Sequence, residues 1–226
     1  MKKPGHRRTK MVRRSKKNLR RTNKRKRIIK GRRLLTRRYS RVQRGGMTEE
    51  EINELNELKT KADAGDGEAQ FNLGVMYEFG RGVDNADDNM AIQWYLCAVA
   101  QGHTGAMFNL GLLHEFNNNY TKAIKFYKKA TKNGHMVAPY RLGEMYWHGK
   151  GAIQNYTKAA KYYKLAAAQK HAEAAYKLGT MYQSGIGVHV RDDAEAMRLY
   201  QLAEAQGHED ASQKLKAMES TFKINI

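Results

Sequence analysis

The sequence predicts an all-α protein: a solenoid of about four helix-pair repeats with terminal capping helices, preceded by a disordered polybasic tail. Three observations predict it. Residues 1–46 hold 22 of the 42 Lys and Arg and none of the 22 Asp and Glu, so this stretch carries +22 and residues 47–226 carry −2. A chain segment so charged and so poor in apolar residues cannot bury enough surface to fold. Beyond it, a motif of Ala, Leu-Gly and an aromatic residue recurs four times, and a second helical motif follows each copy. The expected domains are therefore a tail over 1–46 and a repeat domain over 47–226, joined at Gly45-Gly46.

The first helix of the repeat domain starts at Thr48-Glu49-Glu50-Glu51, which reads as a capping box. It continues through Ile52, Leu55 and Leu58 to Ala64-Gly65. The first motif then appears as Ala69-x3-Leu73-Gly74, Ala106-x3-Leu110-Gly111, Ala138-x3-Leu142-Gly143 and Ala174-x3-Leu178-Gly179. The Leu-Gly pairs lie 37, 32 and 36 residues apart. Gly74, Gly111, Gly143 and Gly179 sit mid-helix, where glycine costs about 1 kcal/mol relative to alanine. A cost repeated four times points to close approach of a neighbouring element. The second motif places Ala91, Trp94, Tyr95 and Ala98 on one helical stripe. Its counterparts carry Tyr127, Tyr163 and Tyr200. Gly102-His103, Gly134-His135, Lys170-His171 and Gly207-His208 close these helices. Ala211-x3-Leu215 begins a last helix, with Lys216 in place of the packing glycine. Ten helices result.

These residues resemble the Sel-1-like repeat family, short relatives of tetratricopeptide repeats. The glycine loops Gly80-Arg81-Gly82, Gly149-Lys150-Gly151 and Gly185-Ile186-Gly187 belong to the same pattern. The second unit departs from it, with Asn117-Asn118-Asn119 in that place. The resemblance implies a right-handed superhelix and an adaptor that binds proteins. It also implies that the first helix of each pair lines the inner face. A groove there would carry Phe71, Val75, Glu78, Phe108, Leu112, Glu115, Tyr140, Glu144, Trp147 and Tyr176. The aromatic row Phe71, Phe108, Tyr140 and Tyr176 either meets an extended peptide or partner helix or packs between helices. The sequence leaves both open.

No catalytic, metal or cofactor constellation is read. The glycine loops lack the spacing and strand context of a phosphate loop. His103, His135, His171 and His208 occupy equivalent turns in successive repeats and should not converge on a metal. Cys97, the single cysteine, excludes an intramolecular disulfide and is expected in the core. No apolar run reaches the roughly 20 residues of a membrane span, and no secretory leader is seen. The repeat domain is expected to be monomeric in isolation.

The tail is expected to bind nucleic acid without sequence preference through Arg13, Arg14, Lys16, Lys17, Arg20, Arg21, Lys24, Arg25, Lys26, Arg27, Arg32, Arg33, Arg37 and Arg38. A nuclear or nucleolar localisation signal is the competing reading, with the repeats binding only protein. A third is a structural virion component with a genome-condensing arm, suggested by Arg44-Gly45-Gly46-Met47. Binding is expected to reside in the tail, since residues 47–226 are near neutral.

Overall fold

The computed structural model describes residues 48–83 and 85–224, and their only regular elements are ten helices. These are α1 (Glu49–Asp63), α2 (Gly67–Phe79), α3 (Asp88–Ala100), α4 (Thr104–Phe116) and α5 (Tyr120–Lys132). They continue as α6 (Ala138–His148), α7 (Tyr156–Ala168), α8 (Ala172–Ser184), α9 (Asp193–Glu204) and α10 (Glu209–Ile224). Each helix packs on the next in the chain, so α2–α3, α4–α5, α6–α7 and α8–α9 stack as pairs between α1 and α10. The Glu51 carboxylate of the expected capping box lies outside the described side chains, as do residues 1–47 altogether.

Helix ends follow from side chains that replace missing backbone partners. The Asp66 carboxylate accepts the Ala69 N–H at 2.8 Å, and Asp192 accepts that of Glu195 at 2.9 Å. The first helix of the first, third and fourth pairs stops at a left-handed glycine, Gly80, Gly149 or Gly185, whereas α4 stops at Asn117. The second helix stops at a turn in which the histidine N–H reaches back five residues. His103, His135, His171 and His208 thus donate to the carbonyls of Ala98, Ala130, Ala166 and Ala203 at 2.9–3.1 Å. The preceding residue has positive φ in all four turns, and Lys170 takes this conformation without being glycine, at φ 62°.

The core is a stack of tyrosines on glycines. Tyr95, Tyr127, Tyr163 and Tyr200 are fully buried, each flanked by buried alanines of its own helix. A Cβ added at Gly74, Gly111, Gly143 or Gly179 would come within 3.0 Å of the ring in the same pair. The space created by the missing side chain is thus filled by a tyrosine from the partner helix. Loops add a second contact between pairs. A Cβ on Gly151 would meet the Tyr120 backbone at 2.5 Å, and one on Gly187 would meet the Tyr156 backbone at 2.6 Å. The loop of one pair therefore sits on the first turn of the second helix in the pair before.

Cys97 is exposed, contrary to the expectation of a core residue. The buried stripe of α3 is Ala91, Tyr95 and Ala98. A residue two positions past Tyr95 lies about 200° around the helix, away from that stripe.

Candidate protein-binding surface on the first helices of each pair

The aromatic row begins each first helix, and all four rings are half-buried. Phe71, Phe108, Tyr140 and Tyr176 each tilt against the core tyrosine of their own pair, with centroids 5.6–6.1 Å apart. Each also stacks on the histidine of the following turn, at 4.4, 4.1, 4.4 and 4.3 Å. Packing therefore occupies two sides of every ring, and only the remaining edge meets solvent. Val75 and Leu112 are also half-buried and pack on the cores of the first two pairs. Trp147 packs on the third and meets Tyr156 edge-on at 4.8 Å.

The histidines do two things at once. Besides stacking, Nδ1 of His103, His135 and His171 accepts the N–H of Ala106, Ala138 and Ala174 at 3.0, 3.2 and 3.3 Å. The imidazole thus caps the next first helix, which requires Nδ1 to be unprotonated. On its other side, His103 Nε2 lies 3.0 Å from Glu68, and His208 Nε2 lies 3.3 Å from Glu173. His208 differs, because its Nδ1 is buried with no hydrogen-bond partner.

Burial pushes the pKa of His135 and His171 below the ordinary 6.5, with Glu173 opposing the shift at His171. Near pH 6.5 the unfolded chain therefore binds more protons at these sites than the folded one. Stability is complete above about pH 7 and declines as pH falls toward the depressed folded values. Below those values the loss stays constant. We expect His135→Asn with His171→Asn to flatten this decline in thermal melts between about pH 7 and 5.5, since asparagine retains a capping oxygen. An unchanged slope would assign the acid sensitivity elsewhere. Glu144 acts in a lower window. Burial opposes its ionisation, but Lys177, the Tyr163 hydroxyl and His148 outweigh burial and hold the carboxyl below 4.5. Its contribution is present above 4.5 and is lost as pH falls through the depressed value.

The carboxylates of the expected groove are largely engaged. The hydroxyls of Tyr95, Tyr127 and Tyr163 donate to Glu78, Glu115 and Glu144 at 2.7, 2.7 and 2.5 Å. Tyr200 instead donates to Gln183 at 3.0 Å. A residue of the following pair completes each of the first three sites. The Asn109 amide donates to the Tyr95 hydroxyl at 3.1 Å. The Arg141 Nε lies 3.9 Å from Glu115, and the Lys177 Nζ lies 3.1 Å from Glu144. Sequence reasoning missed Asn109, Arg141 and Lys177. The available signal was position: each directly follows a residue of the aromatic row. Arg141 and Lys177 offset the charges of Glu115 and Glu144, whereas Asn109 is neutral, so the surface is a row of ring edges whose carboxylates are tied to tyrosines rather than an open acidic groove.

The nucleic-acid-binding residues expected in the tail, Arg13 to Arg38, lie outside the described residues.

Residues 67–103, 104–135, 138–171 and 172–208 each match the Sel1 repeat family. The chain belongs to that family. The Sel1 repeats coincide with the helix pairs and their histidine turns. The sequence is 34% identical over 89 residues to a sel1-like repeat-containing protein of Acanthamoeba polyphaga mimivirus, covering 39% of this chain and 16% of that protein. It is 32% identical over 93 residues to the DAP3-binding cell death enhancer 1 of Rattus norvegicus, covering 39% and 18%. The chain thus spans less than a fifth of the length of these relatives. Among solved structures, c5321 of uropathogenic Escherichia coli superposes with a TM-score of 0.68 at 34% identity, over 74% of this chain and 36% of that one. A Sel1 repeat protein of Oxalobacter formigenes gives 0.65 at 31%, over 73% and 48%. The architecture is the right-handed Sel1 solenoid with capping helices at both ends.

Proposed function

We propose that this Sel1-repeat protein is a non-enzymatic adaptor whose first helices hold a protein partner and whose basic tail holds nucleic acid. The partner is an extended peptide or helix lying across the aromatic row. The observation that carries this reading is the fourfold register of ring edges, one per repeat, since a linear partner meets equivalent contacts at each step. A relative named for binding a protein supports the same use of the repeats. For the tail, the support is 22 positive charges in 46 residues with no acid among them.

The test uses the full chain as bait. Trp147→Ala with Tyr176→Ala should reduce recovery of the partner at least about tenfold at a temperature where the variant remains folded, although lost packing on Tyr156, Tyr200 and His208 lowers its melting temperature. Leu142→Ala is the comparison, a fully buried residue whose loss should lower stability without removing a ring of the row. Recovery that falls only in proportion to melting temperature would make the row core and end the groove reading. If the chain enters nuclei yet does not retard nucleic acid at low salt, the tail is an address. A virion component is a second reading, favoured by the mimivirus relative and by Arg44-Gly45-Gly46-Met47. A new N-terminus at Met47 in particle-derived protein would support it.

A further inference from the structure

The near-neutral sum over the repeat domain conceals a separation of charge. Residues 116–172 contain eleven Lys and Arg against one acid, Glu144, leaving nine bases and 21 acids for the rest of residues 47–226. The excess is concentrated on two helices. Five lysines lie on α5 between Lys122 and Lys132, three lie on α7 between Lys158 and Lys164, and neither helix contains an acid. All eight are exposed. They stand opposite the buried faces of their helices, Ala123–Tyr127–Ala130 and Ala159–Tyr163–Ala166. None forms an ion pair among the described residues.

The two lysine faces meet. The Lys128 Nζ of α5 and the Lys158 Nζ of α7 lie 5.8 and 5.4 Å from the centroid of one ring, Tyr146. Tyr146 stacks on Tyr162 at 5.6 Å with 4° between the planes. An electron-rich aromatic face holds ammonium groups without discharging them, so the junction between the second and third repeats stays positive. Tyr146 itself is buried, so it positions lysines rather than stacking on a ligand.

The fold does not demand this composition. Every repeat buries the same alanines and tyrosine on its second helix and leaves the outer face free. In α3 that face has no lysine. In α9 its one base, Arg198, is bound to Glu195 at 2.7 Å. The lysines are thus a property of the two middle repeats alone.

We infer that the outer faces of α5 and α7 form a second nucleic-acid site, a phosphate-binding surface on the solenoid itself. The inference rests on the reading of the chain as a nucleic-acid-bound adaptor. Nucleic acid is the occupant because it is the polyanion that the tail of the same chain would already hold close. With no base-reading side chain in the patch, contact is to the backbone and independent of sequence.

The experiment is a salt titration of full-length chain on a fluorescent DNA duplex. Lys125→Gln, Lys128→Gln, Lys158→Gln and Lys161→Gln together should make the log–log salt slope shallower by about three to four, at 0.9 per lost phosphate contact. Removing the same charge at Lys59, Lys61, Lys214 and Lys216 should change it by less than about one. Arginine at the four patch positions should preserve the slope, and all variants should melt like the parent. An unchanged slope in the patch variant, or equal changes in patch and control, would overturn the inference while leaving tail binding intact. Loss of binding to phosphatidylserine vesicles with an unchanged nucleic-acid slope would overturn it in favour of a membrane. Absence of any binding by the parent chain at low salt would instead remove the nucleic-acid reading as a whole.

Discussion

Gly143→Leu should melt roughly 4–8 °C below the parent, and Gly111→Leu should behave alike. Leucine restores helix propensity, a gain of about 1 kcal/mol over glycine. Against this, even its Cβ would enter the ring of Tyr163 within 3.0 Å. That ring is fully buried and pinned by its hydroxyl to Glu144, so it cannot turn aside. Overpacking a well-ordered core costs roughly 1–3 kcal/mol and occasionally more. A fixed ring places this site at or beyond the upper limit, so steric cost exceeds propensity by about 2 kcal/mol. In a domain of this size each kcal/mol corresponds to about 2–4 °C. Gly134→Ala is the control: its φ is 82° and nothing lies within 4 Å, so only backbone strain acts. Unchanged melting in both leucine variants would show that the tyrosine–glycine stack is not what fixes the pairs.

The tail should produce the larger effect in magnitude. If it neutralises about eight phosphates on duplex DNA, its share of the log–log salt slope is about −7, beside the three to four from the lysine face. That share alone lowers affinity about ten-thousandfold between 50 and 200 mM salt. Scrambling residues 1–46 with their charge preserved should leave affinity nearly unchanged. Replacing their Lys and Arg with Gln should leave only the weaker binding of the lysine face on α5 and α7. A shallow slope, or a scrambled tail that abolishes binding, would mean that the segment recognises a specific target.

Much of the fold was legible because close packing restricts residue size at fixed intervals. Glycine at 74, 111, 143 and 179 could be read as a packing demand, though not that a tyrosine ring from the same pair meets it. The cross-repeat partners were not legible, because Asn109, Arg141 and Lys177 find their tyrosines or carboxylates only after the helices stack. The aromatic row was found by register, yet its stacking on histidine depends on turn geometry that no periodicity encodes. Cys97 was misplaced by treating the α3 stripe as wider than it is. The lysine face escaped notice for a simpler reason: a net charge of −2 averages a basic middle with acidic ends.

The shortened connection Asn117–Asn119 has a mechanical consequence. Gly151 and Gly187 seat their loops on Tyr120 and Tyr156, clasping the second repeat to the third and the third to the fourth. The three-residue connection has no counterpart of Gly151, and the first repeat is joined to the second by helix packing and by the His103 turn, which stacks on Phe71 and caps α4. In a linear array, cooperativity is a sum of nearest-neighbour couplings. The solenoid is therefore unevenly clasped: the glycine-loop contacts that tie the second repeat to the third and the third to the fourth have no counterpart at a glycine between the first and the second.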